Sequence, residues 1–203
     1  LATKATTNIH TRMKRVDYLV TTAATTAVAG FRNNTGEWWM GNVAGSGGFH
    51  YICRFGPATG VATTTNRCFV GMSSGGGTAP TDVNPSTLTS IFGIGWDSAD
   101  TNIQFMNNAS LATATKTDLG ASFPVPLVDR TSMYELAMFC PPNSTTLTYT
   151  FTDLGTNATV SGTSSSNLPI ANTLLSPRGY MSAGGTSTVI GLSLVSLYIE
   201  TDY

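Results

Sequence analysis

The run Leu147-Thr148-Tyr149-Thr150-Phe151-Thr152 alternates apolar and hydroxyl side chains with a period of two. In an extended chain successive side chains point to opposite faces, so Leu147, Tyr149 and Phe151 share one face and three threonines the other. The pattern predicts a strand with one buried and one wet face, as an antiparallel sheet requires. Residues 49–55, 67–72, 90–96, 102–106, 133–140 and 188–201 also read as strands, and most of them stop at Gly, Pro, Asn or Asp. Short strands with such punctuation predict an all-β fold, an antiparallel sandwich. A chain of 203 residues can bury the core that one such domain needs.

Particular segments sharpen the expectation. In residues 90–96, Phe92, Ile94 and Trp96 share a face, while Gly93 and Gly95 leave room on the other for a ring or a backbone to lie flat. Residues 188–201 form the longest β-branched and aliphatic run, with one slip in alternation near Ser196 that predicts a bulge. So apolar a strand is expected between neighbours or against another subunit, because as a bare edge it would aggregate. Residues 1–30, with the Thr/Ala-rich stretch 21–30, have little to bury and are expected to form an arm or junction, leaving residues 31–203 as the sandwich. The glycine- and serine-rich stretches 45–48, 75–77 and 161–166 are expected to be loops.

Charge narrows the function classes. Charged residues make up 10 % of the chain, against about 25 % in a typical soluble domain, and the net charge is −1. Thr, Ser, Asn and Gly fill the gap, which suits an exterior protein better than a cytosolic enzyme. No nucleic-acid partner is expected from this balance. The short basic cluster of Arg12, Lys14 and Arg15 reads as a solvated or interface edge. No apolar stretch approaches the roughly 18 residues of a membrane span, so membrane insertion is not expected. The three cysteines, Cys53, Cys68 and Cys140, each lie in an apolar run without a C-x-x-C and read as core fillers.

Catalytic patterns are weak. Gly71-Met72-Ser73-Ser74-Gly75 matches G-x-S-x-G, but it runs into more glycine, Thr78 and Pro80, where no helix can begin, and both His10 and His50 precede it. The glutamates, Glu37, Glu135 and Glu200, offer no evident pair to straddle a glycosidic bond. Neither a catalytic residue nor a cofactor is expected, and the chain is read as a binding protein. Asp97, Asp100 and Asn102 could present oxygens to calcium, but their spacing fits no EF-hand and a hairpin turn accounts for them, so no metal is expected. Trp38 and Trp39 stand in a polar setting, and in a strand only one of the two rings can enter a core. A flat indole beside amides and carboxylates suits a sugar. The candidate ligand-binding residues are therefore Trp38, Trp39, Asp97, Asp100 and Asn102.

The C-terminal half resembles the distal domain of bacteriophage tail fibre and tail spike proteins. The resemblance is carried by Met133-Tyr134-Glu135-Leu136-Ala137-Met138-Phe139 with Pro142-Asn143, by Thr152-Asp153-Leu154-Gly155-Thr156, by Asn167-Leu168-Pro169 and Leu174-Leu175-Ser176-Pro177, and by the ending Ser196-Leu197-Tyr198-Ile199-Glu200-Thr201-Asp202-Tyr203. It covers about residues 45–203. It implies a concanavalin-like jelly roll, a homotrimeric tip on the virion and attachment to bacterial surface polysaccharide, capsule or lipopolysaccharide. It transfers no catalytic residue. The start at Leu1-Ala2-Thr3-Lys4 would then follow an upstream fibre shaft. A structural jelly-roll virion protein without a receptor site, or a polysaccharide depolymerase, are the alternative readings.

Overall fold

A computed structural model describes residues 12–75 and 77–201. Its strands are β1 (Val16–Ala24), β2 (Val28–Arg32), β3 (Phe49–Thr59), β4 (Arg67–Ser73), β5 (Ile91–Trp96), β6 (Gln104–Asn108), β7 (Thr115–Asp118), β8 (Tyr134–Cys140), β9 (Leu147–Asp153), β10 (Thr159–Ser164), β11 (Ser176–Ser182) and β12 (Thr188–Glu200). They form two antiparallel six-stranded sheets, in the orders β1-β12-β3-β8-β9-β10 and β2-β11-β4-β5-β6-β7. The antiparallel sandwich anticipated from the strand pattern, and the jelly roll that the resemblance implied, are the fold.

The period-two segments make the core. Leu147, Tyr149 and Phe151 of β9 are buried, and the threonines between them face outward. Rings from the two sheets meet across the interior: Phe49 stacks on Phe92 at 5.5 Å between centroids, and Phe105 on Tyr149 at 3.9 Å. Trp96 is buried in this layer and its indole Nε1 donates to Asn66 Oδ1 at 2.8 Å, so its polar atom is satisfied. Cys53, Cys68 and Cys140 are free and buried, as core fillers should be. Burial pushes the Cys53 and Cys140 thiols up to about 12. Strand β12 lies between β1 and β3, and its register against β3 shifts between Leu194 and Ser196, where the slip in alternation predicted a bulge.

Two expectations are corrected. The sandwich does not begin at residue 31, because β1 pairs with β12 from Val16↔Leu194 to Ala24↔Thr188, and β2 pairs with β11 from Val28↔Ser182 to Arg32↔Arg178. Both are edge strands with a single partner each. An edge strand beside a sandwich needs few buried side chains, and here Val20, Ala27, Ala29 and Phe31 suffice. Residues 1–11 of the expected arm lie outside the described residues. Likewise, part of the expected loop 161–166 is strand β10, another edge. Its hydroxyls face those of β9, with Thr150 Oγ1 and Ser161 Oγ at 2.9 Å and Thr152 and Thr159 at 3.1 Å. Gly162 lies so close to the Tyr149 ring that a Cβ would fall 2.4 Å from its Oη. Polar residues on a one-sided edge carry no alternation to read.

Candidate functional site

Two cavities open beside the residues singled out from the sequence. The first, about 350 Å³, lies at the loop end of β5 and is lined by Asn66, Trp96, Asp97, Ser98, Asp100, Val125 and others. Asp97 and Asp100 belong to the β5–β6 turn, where the Asp97 amide donates to Asp100 Oδ2 at 2.8 Å. Asp97 Oδ1 accepts from the Ser86 amide at 3.1 Å. Lys116 of β7 reaches both carboxylates, Asp97 Oδ2 at 3.1 Å and Asp100 Oδ2 at 2.5 Å. An ammonium thus sits where a calcium ion would have drawn these oxygens together. Burial by itself would lower the Lys116 pKa, but hydrogen bonds to Asp100 and Asp97 and their charges outweigh it and raise it. Asn102 points elsewhere: its Nδ2 donates to Asp118 at 3.1 and 3.2 Å, and its backbone bridges to Pro124. Trp96 adjoins this cavity but offers almost no ring surface to it, being 1 % exposed. The turn is a hydrogen-bonded rim beside an apolar wall of Pro124, Val125 and Leu127.

The second cavity, about 440 Å³, is lined by Tyr18, Phe31, Arg32, Asn33, Trp38, Pro177, Leu194, Leu197 and Ile199. Trp38 is held by backbone bonds to Leu175, donating at 3.1 Å and accepting at 2.6 Å. Its ring packs partly against the core and is not fully buried. The Tyr18 and Phe31 rings meet at 5.8 Å, tilted by 41°. Arg32 is exposed and its Nη1 donates to Asn34 Oδ1 at 3.0 Å. Three aromatic residues line one accessible hollow together with Arg32 and Asn33, so flat apolar surface and polar residues meet there. That is the chemistry a sugar ring asks for, with one face of C–H groups and an equator of hydroxyls.

Trp39 is half-buried on the other side of the chain, and its indole Nε1 is buried without a partner among the described residues. It lines neither cavity. The five candidates therefore do not form one site: Trp38 lies in one hollow, Asp97 and Asp100 at another, and Asn102 and Trp39 each lie outside both. Sequence reasoning missed Tyr18, Phe31, Arg32 and Asn33, and it missed Lys116. The first two carried a usable signal as aromatic residues in a polar stretch, but they lay in or beside the segment read as an arm. Ser73, in the G-x-S-x-G match, ends β4 with its Oγ buried, accepting from the Gly75 amide at 3.0 Å and facing Arg178 Nη1 at 3.4 Å.

No protein-family model and no curated protein matches the sequence. Solved structures do match in fold. The lectin UEA-II complexed with galactose superposes with a TM-score of 0.60 at 11 % identity, over 93 % of this chain and 87 % of that one. A Lotus tetragonolobus seed lectin gives 0.52 at 8 % identity over 93 % and 98 %. Arcelin-5, a lectin-like defence protein from Phaseolus vulgaris, gives 0.51 at 8 % identity over 98 % and 95 %. At such identities the likeness is one of fold: a jelly-roll sandwich of the kind lectins use.

Proposed function

We propose that this domain is the receptor-binding tip of a bacteriophage tail fibre, and that it attaches the virion to bacterial surface polysaccharide through the Trp38 cavity without cleaving it. The observation that carries the reading is the cavity itself, with Tyr18, Phe31 and Trp38 around a hollow that Arg32 and Asn33 make polar. Support comes also from the low charge of the chain and from the likeness in fold to a lectin that was solved with galactose. The cavity is built on strand residues and on a segment bonded to Leu175, so it is rigid, and a preformed site loses little entropy on binding.

Replacing Trp38 by alanine is expected to lower adsorption of the domain to host cells at least about tenfold, the effect of a central aromatic anchor. Asn33→Ala, which removes no core contact, should weaken it less, and both variants are first checked for folding by thermal melt. Adsorption equal to the parent in folded variants of both would sink the Trp38 cavity as the site. New reducing ends released from capsule or lipopolysaccharide would instead make the protein a depolymerase, and neither adsorption nor cleavage would make it a structural virion protein.

The same reading includes a homotrimer. Across three neighbouring strands the outer face of the first sheet sets Tyr198, Ile52 and Ala137 in register, with Phe139 two residues further along β8. Tyr198 is 52 % and Phe139 41 % exposed, so a contiguous apolar stripe faces outward. A closed cyclic assembly would cover it. Light scattering at micromolar concentration is expected to give three times the mass of the chain, and a monomer would count against the assembly.

A further inference from the structure

On the outer face of the second sheet, β11 presents Arg178, Tyr180 and Ser182 in alternation, all buried. Each carries a side-chain donor with no partner among the described residues: Arg178 Nε, Tyr180 Oη and Ser182 Oγ. Arg67, which pairs with Ser182 on β4, adds its own Nε. Native interiors leave few such groups, and four donors on one face point to an acceptor that the chain does not supply.

The deficit is greatest at Arg178. Arg67 has a counter-charge, Asp82 Oδ1 at 2.8 Å, but no ion pair among the described residues includes Arg178. Its Nη1 reaches only the Ser73 hydroxyl at 3.4 Å, and its Nη2 donates to the Thr78 carbonyl. It is 5 % exposed, and a buried guanidinium without an anion is costly. Its partner across the strand pair is a second cation, Arg32. Burial, opposed by Tyr180 and reinforced by the charge of Arg32, pushes the Arg178 pKa below its usual value. Like charges directly opposite one another destabilise a sheet. Thr78 is exposed, and at Gly75 there is no side chain, where a Cβ would stand 2.9 Å from Nη1.

We propose that Arg178 and Arg32 form an oxyanion subsite beside the Trp38 cavity, which takes the acidic group of the bound glycan. The group is the carboxylate of a uronic acid or the phosphate of a phosphorylated sugar, since both present the paired oxygens that a guanidinium fork receives. Arg32 lines the Trp38 cavity and pairs across the strands with Arg178, and so connects the two. The assignment of the anion to a glycan rests on reading the Trp38 cavity as the glycan site. The bound group would replace the Thr78 carbonyl as the acceptor at Arg178.

The test follows the arginine Nε–H signals by NMR while the domain is titrated with glucuronate, inorganic phosphate, glucose or sodium chloride. The Arg178 signal is expected to shift and saturate with glucuronate or phosphate, and to stay still with glucose and with chloride at matched ionic strength. Which of the two anions saturates first tells carboxylate from phosphate. Arg32→Ala, an exposed change, should weaken the response about tenfold, the worth of one charge-assisted contact. A melting-temperature rise of about 3–6 °C is expected at an anion concentration ten times Kd. An Arg178 signal unmoved by both anions, moved equally by chloride, or moved as strongly in Arg32→Ala overturns the subsite. Titrating Trp38→Ala separates the two ideas: a preserved anion response with lost adsorption supports both, a preserved response with parental adsorption removes the cavity reading and leaves the anion site, and lost adsorption with an Arg178 signal silent in the parent as well removes the anion site and leaves the cavity.

Discussion

Deleting residues 192–203 is expected to leave an insoluble chain. The cut removes most of β12, the part that pairs with β1 at Val16, Asp17 and Tyr18 and with β3 from Pro57 back to His50. Leu192 is fully buried, and Leu194 and Ile199 pack against the core. One complete and two partial aliphatic burials contribute roughly 3–6 kcal/mol. That approaches the whole stability of a typical domain, roughly 5–15 kcal/mol, before the lost ladder bonds are counted. The cut also takes the Ser193 Oγ donor, at 2.7 Å, from the Asp17 carboxylate, which keeps Arg15 Nε at 3.0 Å. Burial works to raise the Asp17 pKa, but the Ser193 bond and the charges of Arg15 and Arg130 lower it below the usual carboxylate value. A lowered acid supports stability above its unfolded pKa and loses that support as pH falls through the folded one, so the truncation would also remove part of the parent's resistance to acid. What remains exposes the β3 edge, with Phe55 and Cys53 behind it, to pairing with other chains. The measurement is solubility and a thermal melt of the truncated chain. A soluble product with an unchanged transition would mean that β12 is peripheral.

How much of this was legible follows from which strands alternate. β3, β8 and β9 each set one face on the core, so their side chains carry a period of two that needs no structure to see. β5 gave away its inward trio, Phe92, Ile94 and Trp96, because the intervening positions are glycine. The edges hid themselves. β7 (Thr115–Asp118) and β10 consist largely of hydroxyl and charged residues, since an edge strand with a wet face has little reason to be apolar. β1 looked like an arm because the Thr/Ala stretch that begins within it, at Thr21, has little to bury. The site divided likewise. Trp38 was visible as an indole in polar company, whereas its neighbours Tyr18 and Phe31 come from two strands of different sheets that only the tertiary fold brings side by side. The turn carboxylates were visible too, but their partner Lys116 arrives from β7, two strands away across the sheet from β5.

Gly93→Val is expected to lower stability by about 3 kcal/mol, the upper range for forcing bulk into a closed site. Gly93 faces Gly71 across β5 and β4. A Cβ at Gly93 would lie 2.4 Å from the Val70 carbonyl oxygen and 2.7 Å from the Gly71 Cα, and one at Gly71 would lie 2.3 Å from the Phe92 carbonyl oxygen. These neighbours are backbone and cannot rotate away, so the strands themselves must part. The room that two glycines leave on the outer face is therefore taken by the adjoining strand. Parting β4 from β5 also loads the residues that β5 carries at its end. Trp96 would be drawn from Asn66, and Asp97 from the Ser86 amide, so the loop-end cavity should deform before the Trp38 cavity does. For a chain of this length the loss corresponds to a fall in melting temperature of about 6–12 °C. Gly77→Ala is the control, because the nearest heavy atom to a Cβ there is the Asn34 carbonyl oxygen at 3.8 Å. That variant should melt like the parent, within about 0.5 kcal/mol. If Gly93→Val melts no lower than the Gly77→Ala control, β4 and β5 are not in the close approach that the glycines permit.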